Sequence, residues 1–228
     1  AGFAPKVLHA ASEFGLAIDR AMIELASLGI VWVQDASLSI DELGPYVDAA
    51  RAGRLTTRVN AALRAMPDEW RTQLDAFVAA RDAHQVGTDF TIGTVKFFAD
   101  GVIEHGTGFL LEPYVDAPHT CGLPNWGPAE LAEAVAAFDA VGFQCHIHAI
   151  GDGGVRMSLD AFEHAARRNG ARDRRPVVAH TQLVHPDDRP RFAELGVVAN
   201  FEPLWACIDE CQEQLTFPRL GPERSALQ

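Results

Sequence analysis

Basic charge is scarce in this sequence. There are 19 Lys and Arg against 31 Asp and Glu, a formal net charge of −12. The arginines are scattered, and phosphate contacts need a concentrated basic face, so the composition argues against nucleic acid as a partner. The acidic excess reads as solubility. Cysteine is scarce too. Cys121, Cys145, Cys207 and Cys211 form no C-x-x-C pair and no disulfide framework, which points to a reducing, cytoplasmic setting. Cys207 and Cys211 stand four apart, by chance or on one helix face. No apolar run approaches the length of a membrane span, so no membrane partner is expected. The opening Ala-Gly-Phe-Ala-Pro-Lys has no signal-peptide architecture and no initiator Met, and both ends read as cuts. Also missing are a Walker A run, a G-x-S-x-G elbow, an H-E-x-x-H helix, internal repeats and low-complexity stretches. No linker divides the chain, so a single domain over residues 1–228 is expected, long enough for a real core.

What is present is an ordinary globular composition, 48% hydrophobic and 22% charged, with strand-like runs and amphipathic stretches in alternation. Helix periodicity covers Phe14–Leu28, with Ile18, Met22 and Leu25 on one face and Gly29 as the stop. Further helices are expected over Asp41–Ala52, from Pro67 with Trp70, Leu74, Phe77 and Val78 aligned, from Pro128, around Val155, Leu159 and Phe162, and over Pro186–Leu195. Strands are expected at Ile30–Asp35, Leu55–Leu63, Thr94–Asp100, Phe143–His148, Arg175–His180 and Gly196–Phe201, the last ended by Glu202-Pro203. The segment from Gly101 to Gly127 is long enough to be functional or disordered. Its His105, Phe109, Tyr114 and Trp126 are candidates to line a pocket. Six strands alternating with helices predict an α/β fold with a parallel sheet, either doubly wound or a (β/α)8 barrel short of its eight strands.

In parallel βα folds, sites form at the C-terminal ends of strands. Three such ends carry ligand-capable residues: Lys96, His148 and His180. Alternation puts Lys96 with Asp100, His146 with His148, and His180 with Gln182 on shared faces. If those faces point inward, two imidazoles and a lysine converge. Imidazole favours zinc and similar ions. A buried lysine can be held neutral, and can take up carbon dioxide as a carbamate whose oxygens bridge two metals. Singly, each residue has a plainer reading: a hydrogen-bonded structural His, or Lys96 paired with Asp100. Together they favour a metal site. His146, one pleat deeper, reads better as a satisfied core residue. His9, His84, His119 and His164 read as surface, His185 as helix-start decoration, and His105 as a solvated loop residue. Gly151-Asp-Gly153-Gly154 fails the dinucleotide spacing at Arg156, which counts against a nucleotide-binding protein, although glycines before a helix could still hold an anion.

At these residues the chain resembles the amidohydrolase superfamily, in the family-three branch that contains N-substituted formamide deformylases. The resemblance rests on Gly29-Ile-Val-Trp-Val-Gln-Asp35, Val95-Lys-Phe-Phe-Ala-Asp-Gly101, Leu111-Glu-Pro-Tyr-Val-Asp116 and Gly142-Phe-Gln-Cys-His-Ile-His-Ala-Ile-Gly-Asp152. It continues through Leu159–Glu163, Val178-Ala-His-Thr-Gln182, Pro186–Arg189, Arg191-Phe192 and Gly196–Pro203. It implies a TIM-type (β/α)8 barrel represented by strands two to seven. Lys96 would be the carboxylated lysine of strand four, with His148 and His180 as metal ligands from strands five and six. The family's strand-one His-x-His pair, strand-eight proton-shuttling Asp and small β-sandwich have no counterpart here. The implied activity is metal-dependent hydrolysis of C–N bonds in amides or N-formyl compounds, with one or two divalent ions, zinc first. The alternative is a truncated, non-catalytic barrel fragment without bound metal. The expected partner is a small amide-type substrate. Two open sheet edges carry an aggregation risk, and symmetric assembly leaves room for a homodimer.

Overall fold

The computed structural model describes residues 11–228, so the surface reading of His9 lies outside the described residues. The chain divides into two compact units. One runs to Arg64 and takes in Asp75–Thr94; the other joins Ala65–Leu74 to Val95–Gln228.

The first unit opens with α1 (Ala11–Ser27), whose apolar stripe buries Ile18 and Met22. Gly29 adopts φ 72°, the left-handed conformation that ends a helix without a Cβ penalty, and Ile30 N–H closes back on the Leu25 carbonyl at 2.9 Å. That closure delays β1 (Trp32–Leu38) beyond the Ile30 start expected from hydropathy. α2 (Leu43–Arg51) follows, then β2 (Arg58–Arg64), parallel to β1 with Val33 opposite Val59. α3 (Trp70–His84) buries Trp70 and Phe77. β3 (Phe90–Phe98) begins earlier than the Thr94 start read from the apolar run. Its first residues alternate around a polar knot. Asn60 donates to Gln34 and Thr94 and accepts from Thr91 and from the Gly93 N–H, so its buried amide is fully used.

The second unit carries the end of β3, then α4 (Pro128–Ala140), with Pro128 in the first turn where its missing N–H is harmless. β4 (Gln144–Ala149), α5 (Asp152–Asn169), β5 (Val177–His180), α6 (Arg189–Leu195) and β6 (Val198–Phe201) continue the alternation. Phe97, Phe138 and Phe143 pack edge-to-face at 5.9 and 6.1 Å between ring centroids, and Trp126 closes on Phe97 at 5.6 Å. Trp126 is thus core rather than pocket lining. The Gly101–Gly127 segment is ordered, with Tyr114 buried beside Ile103, Leu110 and Leu220 and donating to the Gly108 carbonyl at 2.7 Å. Tyr114 therefore does not line a pocket either.

Asp139, on α4, is buried and accepts from Arg172 and Arg174 and from the Asn169 amide. Removing one partner of such a set leaves buried charge uncompensated. Asp139→Ala is expected to destabilise the chain by about 3 kcal/mol, read as a lower urea midpoint.

The strands lie in the order β1-β2-β3-β4-β5-β6, and β1–β2, β4–β5 and β5–β6 pair in parallel. A doubly wound nucleotide-binding sheet reverses its strand order at a switch point. No reversal occurs here, which removes the nucleotide reading. An α/β sheet laid down in sequence order is what a run of barrel units produces.

The sequence reading stops at Phe201, but structure continues. A 3-10 turn spans Pro203–Ala206, a π turn spans Gln212–Thr216, and α7 (Phe217–Ser225) breaks at Gly221, φ 75°. Cys207 lies in a bend and Cys211 at the start of the helical run, so they share no helix face, and all four cysteines are free.

Candidate metal centre

β3, β4 and β5 bring the three expected residues to one end of the second unit. Lys96 and His148 are 3% and 8% exposed, and His180 lies half-buried where β5 ends. The His148 and His180 rings approach to 4.6 Å between centroids, at 69°. Lys96 Nζ sits 5.3 Å over the Phe98 ring, which lies tilted 5.2 Å from His148.

His146 joins them. Its Nε2 is 3.2 Å from Lys96 Nζ, so its core role is to hold the lysine. Lys96 does not pair with Asp100 in the way a lone buried lysine would. The Asp100 carboxylate accepts the Phe109, Ile150 and Gly151 N–H groups at 2.8, 3.0 and 2.8 Å. It also lies 3.6 Å from His148 Nε2. The glycine run before α5 is therefore filled by the protein's own carboxylates rather than by a bound anion. Asp152 takes the Leu111 and Gly153 N–H groups, and the glycines permit close approach. A Cβ on Gly154 would lie 2.7 Å from Asp100 Oδ2, and one on Gly151 would run into the Phe109 carbonyl.

His148 Nε2 is 2.9 Å from the Gly101 carbonyl oxygen. A carbonyl only accepts, so Nε2 carries the proton and Nδ1 keeps the lone pair of a neutral imidazole. This is the arrangement that orients a metal-ligating histidine. His180 and Thr181 take left-handed backbone angles, φ 74° and 50°, conformations that cost of order 1–3 kcal/mol each and gather at functional sites.

Burial sets the protonation of the group. It depresses His146 to about 3, with Lys96, His180 and His148 adding repulsion. His148 falls to about 4 through burial, against the Gly101 hydrogen bond, and His180 to about 4 through burial and Lys96. Lys96 drops to about 8 by burial, opposed by the Glu202 charge. Asp100 rises to about 7 by burial, opposed by its three N–H donors. The linkage follows from the signs. Each histidine binds a proton near 6.5 when unfolded but only near 3–4 when folded. Stability from the three is thus present above 6.5 and lost as pH falls towards 4. Asp100, raised on folding, acts oppositely, but it is one proton against three. The chelator-treated chain is expected to lose thermal stability steadily from pH 6.5 to 4.5, measured by circular dichroism melts.

Two neighbours escaped the sequence reading. Glu202 places Oε2 3.1 Å from His180 Nδ1, and the Trp205 indole stacks on the His180 ring at 5.1 Å and 7°. The signal was the position of Glu202, directly after β6 as His148 and His180 lie at the ends of theirs; a Glu before Pro also reads as a plain strand stop. Of the remaining histidines, His105 and His119 are exposed, and His164 faces Glu133 at 3.1 Å. His84 is half-buried near the end of α3, and His185 caps the Pro186 turn by accepting the Asp187 N–H. Among the described residues no three His, Cys, Asp or Glu side chains form a ready-made metal-holding group. No described helix is long and apolar enough to cross a membrane.

Similarity to known proteins gives the family. Over 112 residues the chain is 39% identical to Protein LONG AFTER FAR-RED 3 of Arabidopsis thaliana, covering 49% of the chain and 19% of that protein. Over 136 residues it is 30% identical to YtcJ of Bacillus subtilis (strain 168), covering 58% of the chain and 24% of that protein. A crystal structure of an uncharacterized metal-dependent hydrolase from Pyrococcus furiosus superposes with a TM-score of 0.81 at 28% identity, covering 97% of this chain and 44% of that one. The chain thus spans less than half the length of these relatives. Residues 2–227 match the sequence model of the Amidohydrolase family. The chain belongs to the amidohydrolase family.

Proposed function

We propose that this chain supplies strands two to seven of a metal-dependent hydrolase barrel that cleaves C–N bonds in amides or N-formyl compounds. Lys96, His148 and His180 would hold one or two divalent ions, zinc first. The observation that carries the reading is the His148 tautomer: Nε2–H is spent on the Gly101 carbonyl, Nδ1 keeps its lone pair, and the ring lies 4.6 Å from that of His180. The donor set fits an intermediate-hardness cation once Lys96 is a carbamate. The unprotonated amine adds to carbon dioxide, a C–N bond forms, and one proton leaves to solvent. Burial pulls Lys96 down to about 8, which raises the share of unprotonated amine near neutral pH. His146, against Nζ, is placed to steady that amine.

When bound, the ion acidifies water to near-neutral pH and polarises the substrate carbonyl. The chain's residues provide orientation. Asp100 and the Gly101 carbonyl hold the His148 ring, and the Trp205 indole covers one face of His180. The proton-moving Asp implied by the family pattern would come from strand eight of the parent protein. A second reading, a barrel fragment that takes up no metal, is favoured by the lack of a ready-made group of three His, Cys, Asp or Glu among the described residues.

The reading is tested with the zinc-loaded chain and its full-length parent on matched formamides, acetamides and carboxylic esters, following released amine or alcohol. Cleavage by the parent of the amide or formyl series is the expected result. Turnover of esters alone, with metal bound, would discard the C–N assignment.

A further inference from the structure

A hollow of about 290 Å³ opens within the first unit, and the hydrolase reading makes no use of it. Ile18, Met22 and Leu25 of α1 and Val33 and Val59 of β1 and β2 give it apolar walls. Ala21 and Ala36 also line it, and their short side chains leave space that larger residues would fill. A dry apolar cavity of about 150 Å³ takes up benzene, so this one has the volume for a ring with a short chain attached.

Its charged feature is a single carboxylate. Asp35, half-buried on β1, accepts the Tyr46 hydroxyl on Oδ2 at 2.7 Å. The Tyr46 ring is locked in place. It stacks on Phe90 at 5.4 Å and 7° and meets Phe14 edge-on at 5.5 Å and 85°. Burial, with the Asp35 charge added, pushes Tyr46 above the usual tyrosine range, so the hydroxyl keeps its proton and donates. Asp35 Oδ1 has no hydrogen-bond or ion-pair partner among the described residues. Gln34 reaches the same wall, but its carbonyl oxygen already accepts from Asn60. No Lys, Arg or His side chain lines the hollow. An anion held at an apolar wall with no cation beside it is complementary to a cation on an apolar body. We propose that this hollow binds an organic amine, an aryl-alkyl ammonium whose nitrogen donates to Asp35 Oδ1 while its ring lies against the α1 side chains. The inference does not rest on the metal-centre reading, because none of Lys96, His148 and His180 lines the hollow and binding needs no metal.

The test is calorimetric titration of the chelator-treated full chain with 2-phenylethylammonium, beside the isosteric 2-phenylethanol and the anion phenylacetate. One site is expected, with the ammonium bound at least about 10-fold more tightly than the alcohol and phenylacetate not bound. Asp35→Asn keeps the shape and removes the charge, and is expected to weaken ammonium binding by at least about 10-fold while leaving the alcohol unchanged. Ala21 is exposed on α1 and tolerates a larger side chain, so Ala21→Leu is expected to fold, fill the hollow and abolish binding of both. If Asp35→Asn does not fold, Ala21→Leu carries the test: lost binding supports the proposal and retained binding overturns it. A wild-type chain that takes up no ammonium at millimolar concentration overturns it as well. So does one that binds alcohol or phenylacetate as tightly as the ammonium, or a folded Asp35→Asn protein with wild-type affinity.

Discussion

On the proposed reading, Lys96→Ala is expected to abolish metal uptake. Lys96 is buried beside Phe98 and His146, and among the described residues no Asp or Glu is in an ion pair with its Nζ. A lysine placed so has little to offer as a structural cation, because burial pulls its pKa from 10.5 down to about 8 even against the Glu202 charge. The same environment makes it the reactive amine of the site. Loss of orienting residues around a metal costs 10–100-fold in affinity, so on the proposed ligand role the loss at Lys96 should exceed about 100-fold. Lys96→Arg separates the two uses of the side chain. It keeps a positive charge but forms no carbamate, so it should fail as completely as Ala. Lys96→Glu restores a carboxylate and should recover part of the metal. Carbon-13 bicarbonate should give a carbamate carbonyl resonance in the wild type and none in Lys96→Ala or Lys96→Arg. Full metal content in Lys96→Arg would mean that the ammonium form suffices.

Asp100→Ala is expected to be the most destabilising single change at this end of the sheet. Its carboxylate is 2% exposed and satisfies three backbone N–H groups from two segments, Phe109 in the long loop and Ile150 and Gly151 before α5. Each buried donor left without a partner costs about 1–3 kcal/mol, so the sum is roughly 5 kcal/mol. Asp100→Asn should cost less, because the amide oxygen still accepts one or two of the three. The denaturant midpoints of the two variants check this. His148 metal affinity should fall with Asp100→Asn as well, since the carboxylate also faces its Nε2. Equal midpoints for Asp100→Ala and the wild type would contradict the keystone role.

Much of this site was legible from the sequence. Apolar runs closed by Lys96, His148 and His180 located three strand ends, and side-chain alternation along β4 put His146 and His148 on one face. What hydropathy could not convey was partner choice. Asp100 stands four residues from Lys96 on the same strand register, yet a helix N-terminus supplies it with backbone donors that no local pattern reveals. The Gly151–Gly154 run has the look of an anion cradle because it is one, but the anion is covalently part of β3's exit. Glu202 and Trp205 lie where the periodic pattern had ended, in a 3-10 turn and the residue before it, and short turns carry no hydropathy period. Strand starts shifted for an equally local reason: Gly29 ends α1 by bonding the next residues back onto the helix, which takes Ile30 out of β1.

The central claim is that Lys96, His148 and His180 form one metal site. Elemental analysis of the purified chain tests it most directly, beside Lys96→Ala, His148→Ala and His180→Ala proteins shown by circular dichroism to be folded. The account predicts near-stoichiometric zinc or a similar divalent ion in the wild type and its loss in all three variants. A folded wild-type chain without bound metal, or variants that keep it, would contradict the account.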